Sequence, residues 1–431
     1  MSCPISSSGA LALELPSLPA SPGTQTAVTR ELRTITLSAF LGLLLSGYNN
    51  FVAAIAMVGI QPTLNPTPAQ TGMVLAATFV GMLLGSATLG HVADRRGRRA
   101  AMLLNMSLVA LFAIASALVA DPTQLVLMRL LTGVGIGASY PISASYVADM
   151  APTQHRGAWM TLAFSGWGVG ALAAGLAGWL SIELLPLHLA WRAMLASGAL
   201  PALLALAVVL LRGLPESTAW HHASTLEPLP ARSLLVPPYR RRTLAALLPW
   251  FLMDLPVYGI GLLVPMLLTQ LHIGGAQTVI VTTGALSALT LVGFALAYFT
   301  IDRLGRRCLQ IMGFAGMTVL FALLALQGAY PDTMLLLVLF AGVQIFINAG
   351  PNTTTWIVAA ELFPTRLRAR AQGSATAFSR IGAACGAFFL PVIDAHYGIS
   401  VAFALVALAS LLAAAITWRL LPETARRALP H

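Results

Sequence analysis

The sequence predicts an all-α membrane protein: twelve transmembrane helices arranged as two pseudo-symmetric six-helix bundles. Three observations carry that prediction. Of 431 residues, 58% are hydrophobic and only 9% charged, where a soluble domain carries about 25% charged residues. Apolar runs long enough to cross about 30 Å of hydrocarbon recur along nearly the whole chain. The basic residues are confined to alternate connections between those runs.

Taken in order, the first span, Ile35–Gly59, opens after Arg30 and Arg33 and carries a polar knot, Ser46-Gly47-Tyr48-Asn49-Asn50. Thr71–His91 ends at an arginine-rich turn, and Ala100–Ala120 leaves it. Leu125–Val147 is glycine-rich; Gly133, Gly135 and Gly137 follow no strand, so they read as close helix packing rather than a nucleotide loop. Ala158–Ile182 and Leu189–Leu211 complete the first six. The second six are Leu244–Leu271, Thr278–Thr300, Leu309–Gly328, Met334–Ala360, Ala371–Val392 and Val401–Leu421. The chain thus divides into a disordered tail over 1–30, a bundle over 31–211, a central loop over 212–243, a bundle over 244–421 and a tail over 422–431.

A net charge of +10 can signal nucleic acid, but all 24 basic residues are arginines and all but Arg129, Arg192 and Arg380 fall in connections on one side. Topology explains them, with both termini cytoplasmic and the protein in a bacterial inner membrane. The expected partners are a small-molecule substrate, protons and the lipid bilayer, without nucleic acid, for a chain acting as a monomer. Cys3, Cys308 and Cys385 show neither pairing nor ligand spacing, so no metal or cofactor is expected.

The sequence repeats itself. Asp94-Arg95-Arg96-Gly97-Arg98-Arg99 returns as Asp302-Arg303-Leu304-Gly305-Arg306-Arg307, and Leu214-Pro215-Glu216-Ser217 as Leu421-Pro422-Glu423-Thr424. Pro152-Thr153-Gln154-His155-Arg156 returns loosely as Pro364-Thr365-Arg366-Leu367-Arg368, all three at about 210 residues' separation. A carboxylate, several guanidiniums and a tight glycine turn can staple helix ends in one conformation, which makes Asp94, Arg95, Gly97, Arg98, Asp302, Arg303, Gly305 and Arg306 candidate gating residues.

These motifs resemble the major facilitator superfamily from about residue 32 to 425. Gly133 to Pro141, Trp250-Phe251-Leu252-Met253-Asp254-Leu255 with Tyr258, and Gly350-Pro351-Asn352-Thr353-Thr354-Thr355 are similar to phosphate:proton symporters. They are as similar to related bacterial metabolite:proton carriers and sugar porters. The resemblance implies a secondary transporter and marks Tyr140, Trp250, Asp254, Tyr258 and Asn352 as substrate-site positions, with Arg380 in place of that family's lysine. It also exposes departures: Ser46, Asn49 and Ser139 stand where those symporters carry acids, and Ser165 replaces a glutamine.

From the residues alone, Asp254 is the only one of 14 acidic residues in the middle of a span. A charge there costs a few kcal/mol and must face the bundle interior. Asp254 and Arg380 lie ten and nine positions into outward-running spans, each about 14–15 Å deep, and can meet across a cavity. An arginine there can hold an anion while the aspartate carries a proton. Asn49, Gln344 and Asn348 are further polar groups inside spans that can line the cavity, with Trp167, Trp250 and Trp356 as its apolar walls. Arg129, near the outer end of its span, reads as snorkelling or structurally paired. The alternatives are a carrier of a neutral or cationic metabolite in which Asp254–Arg380 is structural, and a non-transporting receptor; no nucleophile–base pair suggests an enzyme.

Overall fold

A computed structural model describes residues 22–430, apart from 214–215, 217–220, 222–224, 226–228, 271–275 and 329–332. The side chains of 22–29, Pro68, Asp94, Ala231, Ser287 and most of 261–283 also lie outside the described part. Among the described residues, twelve helices are long and apolar enough to cross a membrane. They are α1 Pro22–Leu64, α2 Pro68–Arg96, α3 Arg98–Ala117, α4 Pro122–Met150, α5 Arg156–Leu184, α6 Leu187–Arg212, α7 Arg240–Gln270, α8 Ala276–Leu304, α9 Arg306–Leu326, α10 Thr333–Glu361, α11 Thr365–Tyr397 and α12 Ile399–Leu420. Eight of the predicted spans fall within one of them, and Ala100–Ala120, Leu244–Leu271, Leu309–Gly328 and Val401–Leu421 run one to three residues past the end of theirs, Leu271 lying outside the described residues. The helix α1 begins inside the segment expected to be a tail, because Pro22 is tolerated at a first helical position, where its missing N–H costs no bond.

Two helices are broken, each at a residue that weakens the ladder. In α6 the break is Gly198, whose carbonyl accepts a hydrogen bond from Asn49 Nδ2 at 3.0 Å. In α10 it is Gly350-Pro351, where proline withholds an N–H. The hydroxyl of Thr353 donates to the Asn348 carbonyl at 2.6 Å, satisfying a backbone group beside the break.

Packing follows the repeat. In the first six helices α1 packs along α5 and α2 along α4; in the last six α7 packs along α11 and α8 along α10. The two sixes meet where α2 crosses α11 and where α5 crosses α8. The first crossing is close because Gly373 faces the Ser86 carbonyl and Gly90 the Ala369 carbonyl, so any side chain there would push the backbones apart. Large apolar side chains such as Leu111, Leu176, Leu211, Phe388 and Trp418 point outward, the surface of a protein solvated by lipid.

Candidate functional site between the halves

Gly382 and Gly386 on α11 lie against the carbonyls of Phe251 and Leu255 on α7, and this contact brings the two charged residues of the span interiors together. Arg380 Nη2 stands 3.1 Å from Asp254 Oδ2, with 3% and 2% of the two residues exposed. Arg380 Nη1 donates to the Tyr258 hydroxyl at 2.7 Å. The guanidinium carbon lies 5.1 Å from the Tyr140 ring and 5.4 Å from the Tyr258 ring, both within cation–π range. Tyr140 is on α4, so the pair of the second half is roofed by a ring of the first. Arg380 Nε and Asp254 Oδ2 are buried without a hydrogen-bond partner.

Aromatic rings continue from that point. Tyr140 is 6.4 Å from Trp250 and 6.5 Å from Phe164. Phe164, on α5, stacks on Trp356 of α10 at 4.9 Å and meets Phe294 of α8 edge-on at 5.6 Å. Phe79 of α2 meets the Tyr258 ring at 5.0 Å. All of these pairs except Tyr140–Phe164 cross between the halves.

The remaining candidate residues are placed variously. Asn352 donates to Asn348 Oδ1 at 2.8 Å, and Asn348 donates to the Gln344 carbonyl, also at 2.8 Å. Asn348 also packs its Cβ against Gly293 of α8. Gln344 is half-buried one turn further along. Asn49 does not line the cavity: its amide donates to the carbonyls of Leu45 and Gly198 and so ties α1 to α6. Arg129 does not snorkel outward; it is fully buried, donating to the Asn49 carbonyl at 2.7 Å and the Thr78 hydroxyl at 3.3 Å. Ser139, at a position where the resembled symporters carry an acid, pairs with Asn105 of α3 at 3.0 Å.

The arginine-rich turns form a second site at one end of the bundle. Gly97 has φ +97° and Gly305 φ +90°, a region other residues enter only with strain. After each glycine the next helix starts, and a carboxylate caps it. The N–H groups of Arg98 and Arg99 donate to Glu216 at 2.8 and 3.1 Å, and those of Arg306 and Arg307 to Glu423 at 2.9 and 3.1 Å. These glutamates come from the repeated Pro-Glu-Ser/Thr motif, which sequence reading identified as a repeat without assigning it to the turn. The carboxylate of the turn itself does something else. Asp302 bonds Arg306 Nη1 at 2.6 Å and reaches across to the Gly157 and Ala158 N–H groups of α5 at 3.0 and 2.8 Å. Arg306 is completed by a two-point bond to Glu361 at 2.8 and 3.0 Å.

Further ties cross at the same end. Arg368 of α11 pairs with Asp149 of α4, which also faces Arg98 Nε at 3.6 Å. Arg98 donates to the Thr365 carbonyl at 3.4 Å, Arg156 to the Arg427 carbonyl at 3.0 Å, and Arg370 Nη2 contacts His91 at 2.6 Å. This end is therefore closed. Arg95 and Arg303 are exposed at its rim, at the ends of α2 and α8, whereas the buried Arg98 and Arg306 open the helices that follow the glycines. The Asp94 side chain lies outside the described residues.

A twelve-helix bundle with a buried charged pair between its halves, shut at one end by a repeated ionic network, has the architecture of an alternating-access carrier. The chain belongs to the Major Facilitator Superfamily, whose model matches residues 39–359 and 299–430. It is 29% identical to the putative metabolite transport protein YaaU of Escherichia coli, over 91% of this chain and 92% of that one. It is 31% identical to the inner membrane metabolite transport protein YgcS of the same organism, over 90% of each. Its fold superposes on the proton:xylose symporter XylE bound to 6-bromo-6-deoxy-D-glucose with a TM-score of 0.83, at 20% identity, covering 93% of this chain and 98% of that one. The protein is a multi-pass secondary transporter of metabolites.

Proposed function

We propose that this transporter is a proton-coupled symporter for a small anion, with Arg380 holding the anion and Asp254 carrying the proton. One observation carries the reading. The mid-span carboxylate is buried against a guanidinium that also touches the other half, through Tyr140. An incoming anion competes with Asp254 for Arg380; the displaced carboxylate, desolvated and without its counter-charge, takes up a proton. Anion and proton then enter together, and neither state leaves an unpaired charge in the membrane interior.

The carboxylates that related symporters carry in the first half are absent, since Ser46, Asn49 and Ser139 occupy those positions, which leaves Asp254 as the coupling group. Arginine bias supports an inner-membrane orientation with both termini and the shut end cytoplasmic. Likeness does not choose the solute. An arabinose-proton symporter of Bacillus subtilis (27% identical), a probable inorganic phosphate transporter of rice (29%) and a 3-(3-hydroxy-phenyl)propionate transporter of Escherichia coli (29%) are all relatives.

The test is uptake into proteoliposomes of labelled phosphate, carboxylates, aromatic acids, sugars and amines, with and without an inward pH gradient. Accumulation of an anion that requires the gradient supports the reading. Transport of only a sugar or amine, indifferent to the gradient, overturns it.

A further inference from the structure

Many polar side chains of α10 and α11 that could recognise hydroxyl groups are already engaged within the protein. Asn352 donates to Asn348, and Asn348 to the Gln344 carbonyl. Gln372 Nε2 donates to the Trp356 carbonyl at 3.1 Å. The hydroxyls of Thr353, Thr355, Thr376 and Ser379 all donate to backbone carbonyls of their own helices. A sugar or a phosphate needs many partners at once, and removing it from water without them costs more than one good contact returns.

Gln372 Oε1 and the indole Nε1 of Trp356 and Trp167 keep no partner, and on Arg380 itself what stays unengaged is narrow. Arg380 Nη1 is occupied by Tyr258, Nη2 faces Asp254, and Nε has no partner. The Nε and Nη2 groups form one edge of the guanidinium, two parallel donors spaced for the two oxygens of a carboxylate. Around it are the rings of Tyr140, Tyr258, Trp250, Phe164 and Phe79, linked by centroid separations of 5.0 to 6.5 Å. One cation edge within an aromatic wall suits a flat, mostly apolar body bearing a single carboxylate.

We propose that the substrate class is aromatic monocarboxylates, the carboxylate taking the Nε–Nη2 edge of Arg380 and the ring lying against the Tyr140–Trp250–Tyr258 wall. This rests on the assignment of Arg380 as the anion site. A double interaction of the fork with one carboxylate replaces the single Asp254 contact. The ring contacts add about 0.5–1.5 kcal/mol per aromatic pair beyond area burial.

The experiment is calorimetric binding to the purified full-length protein, without any gradient, of benzoate, cyclohexanecarboxylate, inorganic phosphate and D-xylose, in acid and in neutral buffer. Benzoate is expected to bind about tenfold more tightly than cyclohexanecarboxylate, the equivalent of one or two ring contacts. Phosphate and xylose are expected not to displace it. Equal binding of the two ring acids, or tighter binding of phosphate or xylose, overturns the proposal. Arg380→Lys, which keeps the charge and loses the fork, is expected to weaken benzoate about tenfold or more; unchanged affinity in a folded Arg380→Lys protein also overturns it. The two readings fail separately. Benzoate preferred equally in both buffers leaves the substrate class standing and removes proton coupling, whereas a preference for phosphate that grows in acid does the reverse.

Discussion

The Asp302 carboxylate accepts the Gly157 N–H at 3.0 Å, so a residue at the end of α8 caps the start of α5 in the opposite half. The same carboxylate holds Arg306, which ties this inter-half contact to the ionic network of the turn. Asp302→Ala removes both. Losing a charged hydrogen bond to buried donors costs about 1–3 kcal/mol, enough to shift a two-state equilibrium about 5- to 150-fold. The expected outcome is a population open at the network end, read as increased labelling of a cysteine placed at Ala93 by a membrane-impermeant reagent added to inside-out vesicles. Unchanged labelling would mean that the α2–α11 crossing alone keeps this end shut.

Gly305→Ala and Gly398→Ala separate two costs. Both glycines have positive φ, +90° and +85°, but a Cβ at Gly305 meets the Glu423 carboxylate while one at Gly398 meets nothing within 4 Å. Backbone strain of about 1–2 kcal/mol applies to both. Only Gly305→Ala also displaces the cap of α9, worth about 1 kcal/mol more. Thermal unfolding in detergent is expected to show the larger loss at Gly305, and equal losses would show that the Glu423 cap contributes nothing.

Glu361→Gln keeps the shape beside Arg306 and removes the charge that satisfies two of its donors. Breaking a buried pair by neutralising one partner costs about 3–5 kcal/mol. The expected result is a marked fall in unfolding temperature, partly offset because Asp302 still contacts Arg306; a change within error would show that the pair is solvated in the working protein.

Helix number and span positions were legible because the bilayer forces about 20 apolar residues into each crossing and every Arg-bearing connection to one side. The Asp254–Arg380 pairing was legible for a related reason, since few charges are tolerated at mid-span and two at equal depth have few other partners. The roles of Glu216 and Glu423 were not. Each caps a turn more than a hundred residues away in the chain, and only the folded path of α3 to α6, or α9 to α12, brings them there. Asn49 misled for the opposite reason. A polar residue inside a span looks like a cavity residue, yet the break at Gly198 supplies a free carbonyl that it fills.

Protonation of Asp254 frees Arg380 for the anion, so apparent affinity should rise as pH falls. Above the pKa of Asp254 it should change about tenfold per pH unit, because only the protonated fraction is competent to bind. In Asp254→Asn the dependence should flatten and affinity should remain at or above the wild-type value in acid. A wild-type affinity that is flat with pH would separate substrate binding from proton uptake.

The coupling role of Asp254 is tested most directly in proteoliposomes carrying Asp254→Asn. Asparagine keeps the shape of the side chain and cannot carry a proton, so substrate exchange without a gradient is expected to persist. Accumulation driven by a pH gradient is expected to vanish. A variant that still concentrates substrate in response to that gradient, at near wild-type levels, would contradict the account: Asp254 would then be a structural partner of Arg380, and coupling would lie elsewhere.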